Sequence, residues 1–284
     1  MPVDMHMHSN ASDGALKPAE LVGLCARQGI RLMSLTDHDT MAGTAAARDA
    51  AKALGIEFVT GVEVSTLWGG QTIHIVGYGI DPESPGVAAF FADVSKKREA
   101  RGREMSAAFE KLGMPGAFEG AVKLAGGSTD NLSRTHFGLW LLEKGYIRVY
   151  QEAFDKYLSR GRPCSVDVAW PSIPEALDFI RAEGGTAVLA HPGRYKYASA
   201  WEETALLETF QGAGGTAIEV TSGSQGEKAN VHFAEVARQM GFLASTGSDW
   251  HSQRSKRPMP GEQPPMPHDL RPVWTLWGYP TSFD

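Results

Sequence analysis

Short apolar runs separated by amphipathic stretches set out the elements of this chain. Residues 1–8 read as a short strand ending in two histidines, followed within one turn by Ser9, Asn10, Ser12 and Asp13. Leu21, Leu24 and Cys25 fall at helical spacing, and Pro18 near the start and Gly29 just past the end frame a helix over 16–28. The run 32–36 reads as a buried strand that delivers Asp37-His38-Asp39 at its carboxyl end. An Ala-rich helix over 41–54, stopped by Gly55, leads into a strand over 56–64. Strand, helix, strand, helix, strand is the signature of right-handed βαβ units and a parallel sheet. A further strand, 71–78, follows the turn signal Trp68-Gly69-Gly70 and carries His74.

From residue 84 to 164 the alternation stops, and the text becomes helical, charged and broken by Gly113, Gly116, Gly126, Gly127 and Gly145. This stretch reads as an inserted helical cap, 84–164, set into a body formed by 1–83 and 165–284. The alternation then resumes with helices over 173–183, 201–212 and 226–240, and strands over 186–190, 217–221 and 242–246. About seven strands result, in two blocks. The last stretch, 252–284, holds seven of the 16 prolines and reads as an irregular tail, packed or partly mobile.

Composition narrows the class. With 284 residues, 42% of them hydrophobic, the chain is long enough to bury one large α/β core with an insertion. No apolar run of about 18 residues and no basic-then-apolar leader is visible, so a membrane span and a secretory signal are not expected, and the cytoplasm is the default. Cys25 and Cys164 stand far apart outside any C-x-x-C spacing and suit two reduced thiols; any metal must be held by histidine and carboxylate. A net charge of −6 argues against duplex DNA as a partner. Between Lys96 and Arg162, however, 13 Lys/Arg face 8 Asp/Glu, so a cationic segment is set into an acidic body that suits cations, beside an anionic substrate.

The candidate chemistry gathers at strand ends. On a strand, alternate side chains share a face, so His6 and His8 can grip one cation. His6, His8, Asp13, His38, Glu63, His74, His191, Asp249 and His251 all sit at or just after carboxyl ends of the predicted strands, which meet on one rim in a closed β/α barrel. Six of the nine histidines are in this set, whereas His232 inside a helix and His268 in the tail suit ordinary structural positions.

The ordered motifs H-x-H (His6, His8), Asp13, T-D-H (Thr36-Asp37-His38), G-x-E (Gly61, Glu63), His74, A-H-P (Ala190-His191-Pro192) and S-D-x-H (Ser248, Asp249, His251) resemble the polymerase and histidinol phosphatase (PHP) family. The resemblance implies a distorted (β/α)7 barrel with two or three divalent metals, usually manganese, with iron or zinc as alternatives, and phosphoester hydrolysis. It implies that His6, His8, Glu63 and Asp249 hold one metal. Glu63 would bridge to a second held with His74 and His191, and Asp13, His38 and His251 would hold the third. Relatives with three zinc ions often carry histidine where Asp13 stands, and a carboxylate there shifts that site towards harder ions such as Mn²⁺. A water activated between the metals would be the nucleophile, with no protein nucleophile required.

Within the cap, Ser133 is a natural N-cap that puts Arg134 and His136 in the first turn of a helix, where backbone N–H groups favour an anion. Arg194, three residues after His191, is a further phosphate candidate, while Lys96-Lys97-Arg98 and Arg101-Gly102-Arg103 read as a solvated helix face. An S-R-x-H segment in such a cap resembles one branch of the family, the 3′,5′-nucleoside bisphosphate phosphatases. This implies metals on the scissile 3′-phosphate of a substrate such as adenosine 3′,5′-bisphosphate, and Ser133, Arg134 and His136 on the 5′-phosphate. Some of that branch also trim short RNA from the 5′ end. Two other readings stay open: a histidinol phosphate phosphatase or another small phosphomonoesterase, and a module that binds metal or nucleic acid without hydrolysis.

Overall fold

A computed structural model describes residues 2–254 and 257–283. Its barrel starts with β1 (Val3–Asp4), α1 (Pro18–Arg27), β2 (Leu32–Leu35), α2 (Thr44–Ala53), β3 (Glu57–Trp68) and β4 (Gln71–Tyr78). Past residue 170 it continues with α7 (Ile173–Ala182), β5 (Thr186–Leu189), α8 (Ala200–Gly212), β6 (Ala217–Ser222), α9 (Glu227–Met240) and β7 (Leu243–Gly247), in the spatial order β1 to β7. β1 is shorter than the expected strand over 1–8, but the extended residues after it close the ring. Met5 N–H reaches Thr246 O at 3.1 Å, Asp249 N–H reaches His6 O at 2.8 Å, and His8 N–H reaches Trp250 O at 2.9 Å. The result is a nearly closed seven-stranded barrel.

The expectation of a parallel sheet needs one correction. β4 pairs antiparallel with both β3 and β5, while the other neighbouring strands run parallel. The cause is local. Gly69 and Gly70 have φ of +55° and +72°, and two consecutive positive φ values close a two-residue hairpin that leaves Trp68 opposite Gln71. A link that short can only reverse the chain; a parallel crossover needs a dozen residues or more.

The helices follow their end signals. α1 has Pro18 in its first turn, α7 opens with a capping box in which Ser172 N–H reaches Glu175 Oε2 at 2.7 Å, and α9 ends at Gly241 in the left-handed region. Leu21, Val22 and Cys25 of α1 and Ala47 and Ala51 of α2 pack with Met7, Met33, Leu35 and Trp250 into one buried cluster. Each large apolar side chain there contributes roughly 1.5–3 kcal/mol through burial. The tail is packed: Ala244 of β7 bridges to Pro272, and Val273 and Trp274 are buried.

The chain divides into two compact units, Met1–Ala88 with Pro171–Asp284, and Ala89–Trp170. The second unit holds most of α3 (Pro85–Lys111), together with α4 (Ala117–Leu124), α5 (Arg134–Glu143), α6 (Gln151–Ala153) and the π turn Phe154–Leu158. It has its own core, in which Phe109 stands edge-on to Trp140 with ring centroids 5.5 Å apart. A Cβ on Gly120 would come within 2.1 Å of Trp140 Cδ1, so α4 and α5 meet as closely as they do only because that position lacks a side chain. The solvated face expected over 96–103 is only partly that. Arg98 is buried, donates Nη1 to Leu132 O at 3.2 Å and lies over the Trp170 ring at 5.2 Å. Its apolar stem and flat guanidinium suit such a place where a lysine would not.

Candidate metal centre

His6 and His8 lie on the extended chain after β1 and are fully buried. Gly247, at the end of β7, makes room for His6: a Cβ there would stand 2.3 Å from His6 Cβ. His38 follows β2 and bridges to Glu63 on β3, while His191 and Asp249 follow β5 and β7. Both of these last residues have positive φ, +30° and +52°, an uncommon backbone state for non-glycine residues that clusters at functional sites. Glu63 stands in the interior of β3, which runs on to Trp68 instead of ending at 64, and His74 also departs from the expected placement. It lies in the first half of β4, opposite Ser65, rather than at a carboxyl end. Because β4 runs backwards, its amino-terminal half is level with the carboxyl ends of its neighbours, and His74 reaches the same rim.

All nine expected residues come together. Glu63 lies at the middle: Oε1 is 2.9 Å from His74 Nδ1, 2.9 Å from His191 Nε2 and 3.3 Å from His6 Nε2. Oε2 is 2.8 Å from His38 Nδ1 and 3.3 Å from His8 Nε2. His8 Nε2 is also 3.2 Å from His6 Nε2 and 3.3 Å from Asp249 Oδ1. His251 Nε2 lies 3.3 Å and His38 Nε2 4.0 Å from Asp13 Oδ1. Donors held about 2.0–2.2 Å from a common cation are themselves about 3.0–3.4 Å apart, so these spacings match the edges of coordination polyhedra. Among the described residues, four overlapping groups have the spacing to hold an ion: His6, His8 and Asp249; His6, Glu63 and His191; His38, Glu63 and His74; and His8, Asp13, His38 and His251.

The donor atoms fit cations better than they fit each other. Glu63 Oε2, His74 Nδ1 and Asp249 Oδ1 are buried without an aligned hydrogen bond, although oppositely charged or polar partners are close. Native structures leave few buried polar atoms in that condition, and ions held by the groups these atoms belong to would resolve it. The protonation states agree at every shifted donor except His6. Burial opposes ionisation of Glu63, but His38, His74 and His6 around it hold its carboxyl well below the usual carboxylate range. Burial is overcome in the same way at Asp13 by His251 and His38, and at Asp249 by Arg257 and His6. Burial, with His251 and His38, keeps His8 well below the usual histidine value, and burial with Arg194 brings His191 down to about 3. His6 is the opposite case: burial pulls it down, yet Glu219, Glu63 and Asp249 raise it well above the usual value. Ionised carboxylates beside neutral imidazoles are the states that bind metal.

Several residues that shape the centre were not legible in the chain. Asp37 holds the loop carrying Asp13 through Ser9 and Ser12. Glu219 meets His6 Nδ1 at 2.6 Å. Tyr195 accepts the His74 N–H at 2.8 Å and donates to Ala190 O at 3.0 Å, tying β4 to the turn of His191. Arg257, from the proline-rich tail, places Nη1 2.7 Å from Asp249 Oδ1 and 2.5 Å from His251 Nδ1. Two of them left a signal: Asp37 stands in the T-D-H motif, with no role read for it, and Glu219 is an acid in the apolar run of β6. Arg194, expected as a phosphate contact, stands at the centre and pairs through Nη1 with Asp249 Oδ2 at 2.9 Å.

The three residues expected to bind the second phosphate lie in the other unit. Ser133 is the N-cap of α5, Arg134 its first residue and exposed, and His136 is buried with Nδ1 accepting the Ser133 N–H at 3.1 Å. His136 therefore takes the capping-box role usually filled by Glu or Gln.

A barrel of this order with nine His, Asp and Glu donors on one rim defines a PHP domain, and the chain belongs to that family: the PHP domain matches residues 4–159, more than half its length. The chain is 41% identical over 272 residues to a 3′,5′-nucleoside bisphosphate phosphatase of Chromobacterium violaceum, covering 96% of this chain and 95% of the relative. It is 38% identical over 285 residues to the 5′-3′ exoribonuclease Rnm of Escherichia coli, covering 98% and 94%. Among solved structures it resembles one described as an amidohydrolase from Chromobacterium violaceum with bound sulfate and no metal. The TM-score is 0.92 at 40% identity, over 98% of this chain and 96% of that one.

Proposed function

We propose that this chain is a metal-dependent phosphomonoesterase that removes the 3′-phosphate of nucleoside 3′,5′-bisphosphates, leaving nucleoside 5′-monophosphates, and that it also trims short RNA from the 5′ end. The observation that carries the reading is the convergence of nine donor residues, Glu63 among them, in a chain 41% identical to a bisphosphate phosphatase over nearly its whole length.

His6, His8, Glu63 and Asp249 would hold one ion, Glu63, His74 and His191 a second, and Asp13, His38 and His251 a third. The His-and-carboxylate set suits manganese, with iron or zinc as alternatives. Cations held there would supply Lewis-acid polarisation of phosphate oxygens and a water activated near neutral pH, so no protein nucleophile would be needed. The chain's own residues do the rest. Arg194, bonded to Asp249 through one nitrogen, brings a guanidinium to the centre that can fork onto the scissile phosphate. Recognition of the 5′-phosphate is assigned to Ser133, Arg134 and His136 at the start of α5, where a helix terminus favours an anion. Among the described residues no helix is long and apolar enough to cross a membrane, and a nucleotide substrate with two free, buried cysteines suits the cytoplasm.

The test is phosphate release from adenosine 3′,5′-bisphosphate and from 3′-AMP with Mn²⁺. The wild type should prefer the bisphosphate by at least about tenfold in kcat/KM, and Arg134→Ala should lose most of that preference. Equal use of both substrates by the wild type overturns the arginine's role. A stronger preference for histidinol phosphate, or no turnover with excess Mn²⁺, overturns the substrate or the activity itself.

A further inference from the structure

Glu219 stands between Ile218 and Val220 in β6, all three fully buried. A carboxylate in a strand core is costly unless its oxygens are used. Both are. Oε1 lies 2.6 Å from His6 Nδ1, and Oε2 accepts the backbone N–H of His191 at 2.6 Å. The carboxylate belongs to none of the four ion-holding groups among the described residues, yet it touches two of the residues that make them up.

Each contact constrains a donor atom. An imidazole that gives its Nδ1–H to a carboxylate keeps the lone pair for a cation on Nε2. That Nε2 is the atom lying 3.2 Å from His8 Nε2 and 3.3 Å from Glu63 Oε1. With the hydrogen on Nε2 instead, Nδ1 and Oε1 would face each other as two acceptors, and a proton would block the donor. The second contact holds the backbone of His191, which sits at φ +30° before Pro192 and presents Nε2 to Glu63 at 2.9 Å. One buried side chain thus joins the extended chain after β1 to the turn after β5.

We infer that Glu219 is a positioning residue of the metal centre: it sets His6 in the tautomer that offers Nε2 and fixes the turn that aims His191, without itself holding an ion. This rests on the metal-centre reading given above. Glutamine at 219 would offer one acceptor and one donor where two N–H groups need acceptors, so His6 and His191 could not both be satisfied.

The test uses the full chain loaded with Zn²⁺, which is diamagnetic. Long-range proton–nitrogen-15 correlation should show His6 protonated at Nδ1 in the wild type. In Glu219→Gln that pattern should be lost, and titration should show one or two ions bound 10- to 100-fold more weakly while the remaining affinity is unchanged. A wild-type His6 protonated at Nε2, or Glu219→Gln binding every ion with wild-type affinity, overturns the inference; the wild-type spectrum decides even if the variant does not fold. Phosphate release, followed in parallel, separates the two proposals. A wild type with the expected tautomer and no turnover overturns the activity alone, and an active wild type whose ion affinities ignore the substitution overturns the role of Glu219 alone.

Discussion

Ser12 donates its hydroxyl to Asp37 Oδ1 across 2.6 Å, and in doing so ties the loop that carries Asp13 to the strand end that carries His38. Ser9 adds its N–H at 2.8 Å and its hydroxyl at 2.6 Å to the same carboxylate. From the other side, Ala15 N–H reaches His251 O at 2.8 Å. The Asp13–His38–His251 group is thus built on a loop anchored at two points.

Asp37→Ala removes three hydrogen bonds to a buried carboxylate and should release the loop. The expected result is loss of about one metal ion per chain by elemental analysis, with the other ions retained, and a fall in kcat of tenfold or more. Unchanged metal content would show that the loop holds its shape without Asp37.

Gly247→Ala places a methyl group where His6 Cβ already is, 2.3 Å away, in a region where β7 and the chain after β1 are hydrogen-bonded and cannot separate. Overpacking of this kind costs about 1–3 kcal/mol. Thermal unfolding should therefore begin several degrees lower, and metal affinity should fall because His6 is displaced. A variant with wild-type melting and wild-type affinity would contradict the close approach.

The metal-free protein should lose stability in acid, and His191 gives the sign. Burial and Arg194 lower its folded value to about 3, while an unfolded histidine titrates near 6.5. Between those values the unfolded chain binds a proton that the folded chain does not, so stability is present above about 6.5 and falls as pH drops through the window. One such group contributes a slope of up to about 1.4 kcal/mol per pH unit. Denaturant unfolding of His191→Gln, compared with wild type from pH 7 to 4, should show a shallower slope; an equal slope would mean that His191 does not stay neutral.

Chelation should abolish phosphate release and lower the melting temperature, and Mn²⁺ should restore both. Ions bound only to the folded state stabilise it by about 2.7 kcal/mol at a hundredfold excess over Kd. The clustered carboxylates Glu63, Asp13 and Asp249 repel one another less once an ion lies among them. A melting temperature indifferent to both treatments would count against a metal centre.

His6 and His8 were legible because strand alternation is a local rule, and His38, His191 and Asp249 because runs of buried apolar residues show where strands stop. The helix starting at Ser133 was legible for the same reason: caps are written within four residues. By itself, then, the sequence determined the elements, the donor set and the family whose ordered motifs these are. Only the tertiary structure decided that β4 runs backwards, that His74 reaches the rim from the first half of its strand, and that Glu219, Asp37 and Arg257 brace the donors. Arg98 turned inward against Trp170 in the same way, unannounced by its charge. The physical reason is distance along the chain. Periodicity and capping act over a few residues, whereas His6 and Glu219 are 213 positions apart, and their 2.6 Å contact exists only because the barrel closes.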